Sequence, residues 1–328
     1  MTSSSSLSRG YAIAVVSAAI LSTTAIFIRY LTQTYQMPPL VLALWRAGFV
    51  VLTLVVVLAV LSPARLRVER RHLLYLIGYG LMLAVFNAVW TLSVALNGAA
   101  VATVLVYSSA AFTALLGWWL LKENLGWVKV VAVILSLTGC VLVSGALEAE
   151  AWQVNAVGIL TGVVSGLCYA GYSLLGRSAA QRGLNPWTTL LYTFGFTTLF
   201  LGAINSLPAG VVPGTAAQPA DFWALGSDLT GWGFLFLLAA GPTVAGFGLY
   251  NVSLSHLPSS VANLILTMEP VFTVMIAYVL LGERMNGWQV GGGALILAGV
   301  LFLRIRQGRR IQSQPAPEPS GQVVAYTD

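Results

Sequence analysis

The chain is a succession of apolar runs, each about as long as a helix that crosses a bilayer. The run at 259–283 is the clearest, with about 20 apolar residues, enough for one membrane span. Hydrophobic residues make up 58% of the sequence and charged residues only 8%, whereas soluble domains carry about 25% charged residues. These properties exclude a soluble globular fold and predict an all-α integral membrane protein.

Ten such runs predict ten transmembrane helices. The predicted spans are 10–31, 39–61, 73–95, 99–121, 127–145, 156–176, 187–207, 231–254, 259–281 and 287–304. A signal peptide is rejected for the first run, because that run has an internal counterpart later in the chain. The segment 306–328 is rich in proline and polar residues and is expected to be disordered.

The basic residues predict how these spans are oriented. With the N-terminus in the cytoplasm, 13 of the 16 Lys and Arg residues lie on the cytoplasmic side, and only Arg29 and Arg284 lie on the outer side. Cytoplasmic loops of membrane proteins carry such an excess of positive charge. We therefore expect a multi-pass protein of the inner (plasma) membrane with both termini cytoplasmic. The net charge of +6 is explained in this way and does not indicate nucleic-acid binding.

Two pairs of segments indicate an internal repeat. The first pair, 10–29 and 158–177, has five identities in 20 positions at an offset of 148. The second pair, 101–123 and 261–283, has seven identities in 23 positions at an offset of 160. The longer connection at 208–230 accounts for the change of offset. Two matches with a consistent gap predict a duplicated unit.

The duplication predicts the domain organisation. Residues 1–9 are assigned to a cytoplasmic N-terminus, 10–147 and 148–305 to two five-helix repeats, and 306–328 to a cytoplasmic tail. Because five is odd, the second repeat is inverted relative to the first. Inverted repeats are typical of alternating-access carriers, which bind substrate near the bilayer midplane between the repeats.

Short motifs give the chain a resemblance to a known family. Each repeat ends a helix with Glu after two leucines, LLKE at 120–123 and LLGE at 280–283, and the second repeat contains MEPVF at 268–272. With ten spans in two halves, the chain resembles the EamA-type branch of the drug/metabolite transporter superfamily over about residues 10–305. The resemblance implies export, exchange or uptake of small metabolites, including amino acids and their derivatives.

Glu269 is the first candidate for a functional residue. It lies about 15 Å along its span, near the midplane of a ~30 Å hydrocarbon core. A carboxylate at that depth is costly and normally faces a cavity or a partner. Two roles stay open: a group that binds substrate or carries protons, and a structural acid that caps the amides of a broken helix or remains protonated. Protons are therefore a candidate coupling ion.

Pro270 predicts a hinge beside this acid, because proline has no N–H to donate to the carbonyl of Leu266. An opened helix is tolerated at membrane depth where it lines a cavity. The first repeat has Ser109 and Ala110 at the positions that match Glu269 and Pro270. A hinge is therefore less well supported in the first repeat.

Arg46 is the second charged candidate, roughly 10 Å into its span. It can bind a substrate carboxylate, pair with an acid, or direct its long stem towards the membrane surface. Its repeat counterpart is Phe194. Arg46 thus breaks the symmetry of the repeats, as an asymmetric substrate site requires.

Polar and aromatic residues inside the spans complete the predicted substrate-binding set. They are Asn87, Trp90, Tyr107, Tyr169, Tyr172, Tyr250, Asn251 and Asn263. Asn87 and Trp90 share a helix face, whereas Asn263 and Glu269 lie on roughly opposite sides of an unbroken helix. Each alone is also consistent with helix packing. Together they predict a cavity with aromatic walls and amide donors that suits amphiphilic solutes.

The remaining features restrict the chemistry. Cys140 and Cys168 lie inside apolar spans and are interpreted as core residues. With only two histidines, no metal site is predicted, and no cofactor or enzyme activity is expected. Glu123 and Glu283 are expected to form hydrogen bonds with the short turn that follows each helix, or alternatively to line a gate.

The sequence therefore predicts a secondary transporter, because it contains no ATP-binding motif to drive uphill flux. The alternative is a passive channel or facilitator. The expected partners are a small-molecule substrate and the lipid bilayer. The oligomeric state is expected to be a monomer or a homodimer.

Overall fold

The computed structural model describes residues 4–121, 126–144, 149–254, 265–266 and 268–312. Within these ranges six helices are long and apolar enough to cross a membrane: Arg9–Thr34, Pro39–Leu61, Arg70–Asn97, Asn155–Gly176, Pro186–Asn205 and Leu229–Tyr250. Four shorter apolar helices occupy the other predicted spans: Ala99–Thr113, Trp127–Val143, Glu269–Leu281 and Gly287–Phe302. The prediction of an all-α membrane fold is confirmed.

The first repeat contains six helical segments, because one of its five predicted spans is interrupted. They are α1 (Ser4–Thr34), α2 (Pro39–Leu61), α3 (Leu73–Asn97), α4 (Ala99–Val106), α5 (Ser109–Leu121) and α6 (Trp127–Ser144). Two short 3-10 turns, Pro63–Leu66 and Arg70–His72, connect α2 to α3. Gly98 separates α3 from α4 with φ of 88° and ψ of 164°, a conformation that is essentially restricted to glycine.

The second repeat has corresponding segments. They are α7 (Ala149–Gln181), α8 (Pro186–Asn205), α9 (Leu229–Leu238), a π-helical segment (Ala239–Gly246), α10 (Phe247–Leu254), α11 (Glu269–Leu281) and α12 (Gly287–Gln312). α7 bends at Asn155, which has non-helical dihedrals. α8 begins where the Asn185 side chain accepts a hydrogen bond from the Trp187 N–H at 3.0 Å, as N-cap residues do.

Contacts between helices occur in pairs that the repeat relates. α3 packs against α7 and α8, and the matching contacts join α10 to α1 and the π-helical segment to α2. Likewise, α5 packs against α7, and α11 packs against α1. The repeat relates α2 to α8 and α6 to α12, and the two helices of each of these pairs pack against each other. This pairwise arrangement supports the two five-helix repeats that the sequence predicts.

Hydrogen bonds at the helix ends define two opposite faces of the molecule. On one, here called the Arg65 face, the Thr188 hydroxyl donates to the carbonyl of Arg65 at 2.7 Å. On the other, the Glu283 face, the Ala99 N–H donates to the Glu283 carboxylate at 2.9 Å. The helix α3 runs from the Arg65 face to the Glu283 face, because it begins after the Arg70–His72 turn and ends beside Ala99, as expected if successive spans alternate between the faces. This alternation is required if an odd number of spans is to invert the second repeat.

Candidate functional site

Both repeats contain a helix that is interrupted at the matching position. In the first repeat, α4 ends at Val106 and α5 begins at Ser109. In the second repeat, α11 begins at Glu269, directly after a turn at Met268. An offset of 160 relates Ser109 to Glu269, so the two interruptions correspond. The first repeat therefore has an interrupted helix even though it lacks the proline.

Backbone hydrogen bonds explain why the first interruption needs no proline. The Ser108 N–H donates to the carbonyl of Leu105 at 3.1 Å, three residues back. At the same offset of 160, the Met268 N–H donates to the carbonyl of Ile265 at 2.9 Å. Such i to i−3 bonds tighten a helix into a 3-10 turn. The first interruption is therefore made by the backbone and does not depend on a proline at Ala110.

Tyr107 joins the two interruptions to each other. Its hydroxyl lies 2.9 Å from the carbonyl oxygen of Leu266 and 3.0 Å from Oε2 of Glu269. Leu266 carries the carbonyl that would accept from residue 270 in a continuous helix, and Pro270 has no N–H to give. Tyr107 of the first repeat therefore supplies the hydrogen bond that Pro270 withholds in the second.

The hydrogen bonds that Tyr107 makes with Leu266 and Glu269 depend on whether the Glu269 carboxyl carries a proton. A tyrosine hydroxyl donates one hydrogen bond, whereas a backbone carbonyl only accepts. If Tyr107 donates to Leu266, a second hydrogen bond to Glu269 requires a proton on the Glu269 carboxyl. An ionised Glu269 instead competes with the Leu266 carbonyl for the single hydroxyl proton. The junction thus has two hydrogen-bonding arrangements that differ by one proton on Glu269.

Arg46 lies in a second group, with Asn87 and Trp90. Arg46 Nη2 donates to Asn87 Oδ1, and the guanidinium carbon lies 5.3 Å from the centre of the Trp90 ring. Arg46 is 4% exposed and Asn87 is 2% exposed. The Asn87 amide is held by its own bond to the Leu83 carbonyl at 2.9 Å. Arg46 therefore points into the protein and does not reach out to the membrane surface.

The Arg46 group is short of acceptors. Within the part of the chain that the structure describes, no carboxylate forms an ion pair with Arg46. In the same part, Arg46 Nε and Trp90 Nε1 are both buried and have no hydrogen-bond acceptor. Burying a charge or an N–H without a partner is unfavourable. This group therefore has the capacity to bind an anionic acceptor.

Aromatic rings extend from this group along α3 and α7. Phe86 stacks on Trp90, with 6.2 Å between ring centres and 25° between planes. The Phe86 ring also lies 5.2 Å from Tyr169 and 6.3 Å from Tyr172. The tertiary structure thus brings the predicted residues Arg46, Asn87, Trp90 and Tyr169 into one cluster. Phe86 was missed, because a phenylalanine in an apolar span carries no distinguishing signal.

The structure places the other predicted site residues less completely. Tyr250 is half-buried on α10, which packs against α1. Asn251 follows it on the same helix, but its side chain lies outside the described residues. Asn263 lies outside them entirely. Pro270 occupies the first turn of α11 and is buried, so it begins a helix at the interruption that it was predicted to cause.

Sequence reasoning also missed the π-helical segment Ala239–Gly246. Pro242 lies inside it, and a proline in the middle of an apolar span was the available signal. Ala239 and Val244 of this segment pack in the same core cluster as Ala43 and Ala47, which flank Arg46 on α2. π-helical segments are frequent at functional sites. This one lies directly beside the Arg46 helix.

Arg29 differs from Arg46 because all of its nitrogens have partners. Its Nε lies 3.3 Å from Glu283 Oε1, and its Nη1 donates to the Ala95 carbonyl. With its amide oriented to fit the hydrogen-bond network, Gln33 accepts from Arg29 Nη2 at 2.7 Å. Arg29 also lines a cavity of about 330 Å³. A guanidinium held at all three nitrogens in this way acts as a structural link between the repeats.

Among the described residues, no set of three or more His, Cys, Asp or Glu side chains is close enough to hold a metal ion. Cys140 is buried and Cys168 is half-buried, and neither forms a disulfide there. The candidate site in this part of the chain is therefore built from one guanidinium, one carboxyl, amides and aromatic rings.

Comparison with known proteins identifies relatives for almost the whole chain. The model of the "EamA-like transporter family" matches residues 8–145 and 156–305. An "Uncharacterized transporter" of Archaeoglobus fulgidus is 30% identical over 145 residues, which are 44% of this chain and 47% of that protein. This alignment therefore spans less than half the length of that relative.

Two further comparisons cover more of the chain. The "Threonine/homoserine exporter RhtA" of Salmonella typhimurium is 26% identical over 265 residues, covering 78% of this chain and 80% of that protein. A solved crystal structure aligns with a TM-score of 0.59 at 18% identity, covering 92% of this chain and 99% of the other. At this identity the structural match concerns the fold alone.

Proposed function

The chain belongs to the EamA-like transporter family, and from that premise we propose that it is a secondary transporter that exports or exchanges small amphiphilic metabolites, amino acids among them, by alternating access. The observation that carries this proposal is the contact of Tyr107 with Leu266 and Glu269. It joins the interrupted helix of one repeat to the interrupted helix of the other. An interruption is where a helix bends most easily, so a change at this contact moves both repeats together.

Proton coupling is the second part of the proposal. Protonated Glu269 allows Tyr107 to bond the Leu266 carbonyl, whereas ionised Glu269 draws the hydroxyl proton to itself. Loss of the bond to Leu266 leaves the carbonyl that faces Pro270 without its donor, which favours a different bend of the helix. Binding and release of one proton at Glu269 would thus bias the two arrangements of the carrier.

Two observations support the proposed substrate class, one from the relatives and one from the side chains. A relative over most of the chain is named a threonine/homoserine exporter. In this chain Arg46, Asn87 and Trp90 offer one cation, an amide and aromatic surface, a combination that suits a solute with a polar end and an apolar body. Amino acids and their derivatives have this form.

The orientation we propose is that of a bacterial plasma-membrane protein with both termini in the cytoplasm. Arg65, Arg67, Arg70, Arg71 and Arg182 lie at connections of the Arg65 face, whereas Arg29 and Arg284 lie near the ends of helices at the Glu283 face. Positive charge collects on the cytoplasmic side. Alkaline phosphatase and green fluorescent protein fused to the C-terminus test this orientation: fluorescence supports it, and phosphatase activity contradicts it.

Counterflow in proteoliposomes tests the transport proposal. Liposomes are preloaded with threonine, homoserine, phenylalanine or an organic amine, and uptake of the labelled solute is followed with and without a pH gradient. Exchange that saturates supports a carrier, whereas flux that does not respond to preloading indicates a passive channel. If nothing crosses faster than in empty liposomes, this proposal is wrong for the classes in the panel.

Two matched pairs of variants test the coupling. Glu269→Gln keeps a donor towards Tyr107 but cannot ionise, so exchange should persist while accumulation driven by a pH gradient is lost. Tyr107→Phe removes the hydroxyl, so it should slow both exchange and gradient-driven accumulation. Glu69→Gln, at an exposed side chain, and Tyr192→Phe, whose hydroxyl bonds the Leu66 carbonyl at 2.9 Å, are the controls. Wild-type gradient-driven accumulation in Glu269→Gln would eliminate the role of Glu269 as proton carrier.

A further inference from the structure

We propose that Arg46 and Trp90 form a subsite for the carboxylate of a substrate that carries a single carboxylate and an apolar or aromatic body. This inference rests on the proposed transport function and specifies which solutes it concerns. Arg46 Nε and Trp90 Nε1 are two buried N–H donors that have no acceptor among the described residues. They belong to side chains that are in direct contact through a cation–π pair.

The chemistry of the two donors selects the ligand. Both groups only donate hydrogen bonds, so the ligand must supply acceptors. A carboxylate has two oxygens and takes one donor on each, and hydrogen bonds to a charged acceptor are the strong ones. A neutral carbonyl would accept hydrogen bonds but would leave the buried guanidinium without a counter-charge.

Charge balance restricts the ligand to one negative charge. Arg46 is one cation, and no described carboxylate pairs with it. A dianion such as phosphate would leave one negative charge without compensation among buried apolar side chains, which is unfavourable. A monocarboxylate balances the site.

The surroundings of the donors specify the body of the ligand. Phe86 stacks on Trp90 and contacts Tyr169 at 5.2 Å between ring centres. The side chain of a bound monocarboxylate would therefore extend along these rings, where apolar area is favourably buried.

The subsite is closed in this structure, so access to it requires a rearrangement of the helices around it. Arg46 is 4% exposed and Trp90 is 8% exposed, so a ligand reaches them only when the surrounding helices move. The π-helical segment with Pro242 packs beside α2. Such segments are frequent at functional sites. Exchange between two states of the carrier would open the subsite.

Equilibrium binding to the purified full-length protein tests this subsite without any transport. The probes are L-phenylalanine, its amide, which lacks the carboxylate, and 3-phenylpropionate, which lacks the amine. Dissociation constants are measured by the quenching of tryptophan fluorescence and by the shift in melting temperature. We expect both carboxylates to bind at least about tenfold more tightly than the amide.

Variants locate the effect at the two donors. Trp90→Phe keeps a ring but removes the N–H, and Arg46→Lys keeps the charge but loses the planar guanidinium; each should reduce the preference for the carboxylates. Trp45→Phe is the matched control, because the Trp45 indole donates to the Phe222 carbonyl at 2.8 Å. It should leave the preference unchanged. If an Arg46 variant fails to fold, the proposal is still tested by the ratio of the dissociation constants of the amide and the carboxylates, measured in the wild type and in Trp90→Phe.

Three outcomes overturn the subsite: equal binding of phenylalanine and its amide, an unchanged preference in Trp90→Phe and Arg46→Lys, or no binding of either carboxylate up to about 10 mM. These failures differ from failure of the transport function. Carboxylate-selective binding without counterflow would support the subsite proposal and contradict the transport proposal. Counterflow without a preference for carboxylates would support the transport proposal and contradict the subsite proposal.

Discussion

Arg29 and Glu283 form an ion pair between the two repeats, with 3.3 Å between Arg29 Nε and Glu283 Oε1. The same carboxylate accepts from the N–H groups of Ala99 at 2.9 Å and Ala100 at 3.0 Å, which begin α4. A helix N-terminus carries unpaired N–H groups and partial positive charge that favour an anion. Glu283 of the second repeat therefore caps a helix of the first and connects it to α1.

Removal of the charge on Glu283 should destabilise the protein. Glu283→Gln keeps the shape of the side chain but removes the ion pair with Arg29 and leaves one helical N–H facing the NH2 group of the amide. Because the Glu283 side chain is 17% exposed, we expect a loss of about 2 kcal/mol in the free energy of unfolding, measured by denaturant unfolding in detergent. Glu69→Gln is the control, since Glu69 and Arg71 are mostly exposed and such pairs contribute little. Equal effects of both variants would contradict the cap.

Substitution of Gly98, which lies beside this cap, should destabilise the protein. Its φ of 88° is strained for any side chain, and a Cβ atom there would lie 2.8 Å from Glu283 Oε1. Gly98→Ala should therefore lower the apparent melting temperature and cost about 1–3 kcal/mol. Gly78→Ala is the matched control on α3, because nothing lies within 4 Å of its Cβ position. A Gly98→Ala variant as stable as Gly78→Ala would show that Glu283 is positioned in another way.

Two adjacent glycines of α12 should differ sharply in their tolerance to substitution. A Cβ on Gly292 would lie 2.7 Å from the backbone oxygen of Gly139 on α6, whereas a Cβ on Gly291 meets nothing within 4 Å. A backbone atom cannot move aside without separating the helices, so Gly292→Ala should lower the melting temperature while Gly291→Ala leaves it unchanged or higher. Equal melting temperatures would contradict the close packing of α6 and α12.

The Asp228 and Tyr35 pair should make stability depend on pH at both extremes. The hydrogen bond from the Tyr35 hydroxyl, followed by that from the Thr230 N–H, lowers the pKa of Asp228 below 3.8. The same contact with Asp228 raises the pKa of Tyr35 to about 12. The Asp228 contribution is present above its unfolded pKa and is lost as pH falls through the folded value. The Tyr35 contribution is present below its unfolded value of 10.0 and is lost as pH rises through about 12.

Melting temperature measured against pH checks this pair. Stability from the pair should be constant between about pH 4 and 10 and should decline on either side. Asp228→Asn should remove the acidic decline that this pair causes, yet asparagine still caps the N-terminus of α9 at neutral pH. Tyr35→Phe should reduce both declines. If the fall in melting temperature at acidic pH is unchanged in Asp228→Asn, other carboxyl groups cause that fall.

Much of the architecture follows from local sequence properties. Long apolar runs form helices because a bilayer leaves no other partner for backbone groups, and the ten runs predicted the ten helical regions. The repeat was visible because duplicated helices retain matching residues. The helix interruption at Pro270 was also predictable, because a missing N–H is a property of one residue.

The site was less predictable, because it depends on contacts between distant segments. Arg46 and Asn87 were both candidates, but their hydrogen bond is made across two helices and no local pattern indicates it. The first-repeat interruption was underrated for a related reason: its turn is a backbone arrangement without a proline. Tyr107 was predicted as one polar residue among several, and only packing made it the link between the two helix interruptions.

The sequence by itself determined that this chain is a membrane protein of two inverted five-helix repeats, because span length, helix number and charge distribution are properties of the chain read in order. Only the tertiary structure decided which polar groups meet. Tyr107 reaches Glu269 across 162 residues, and Glu283 reaches Ala99 across 184. A hydrogen bond depends on distances below about 3.5 Å, and those distances are defined only when the two repeats are packed together.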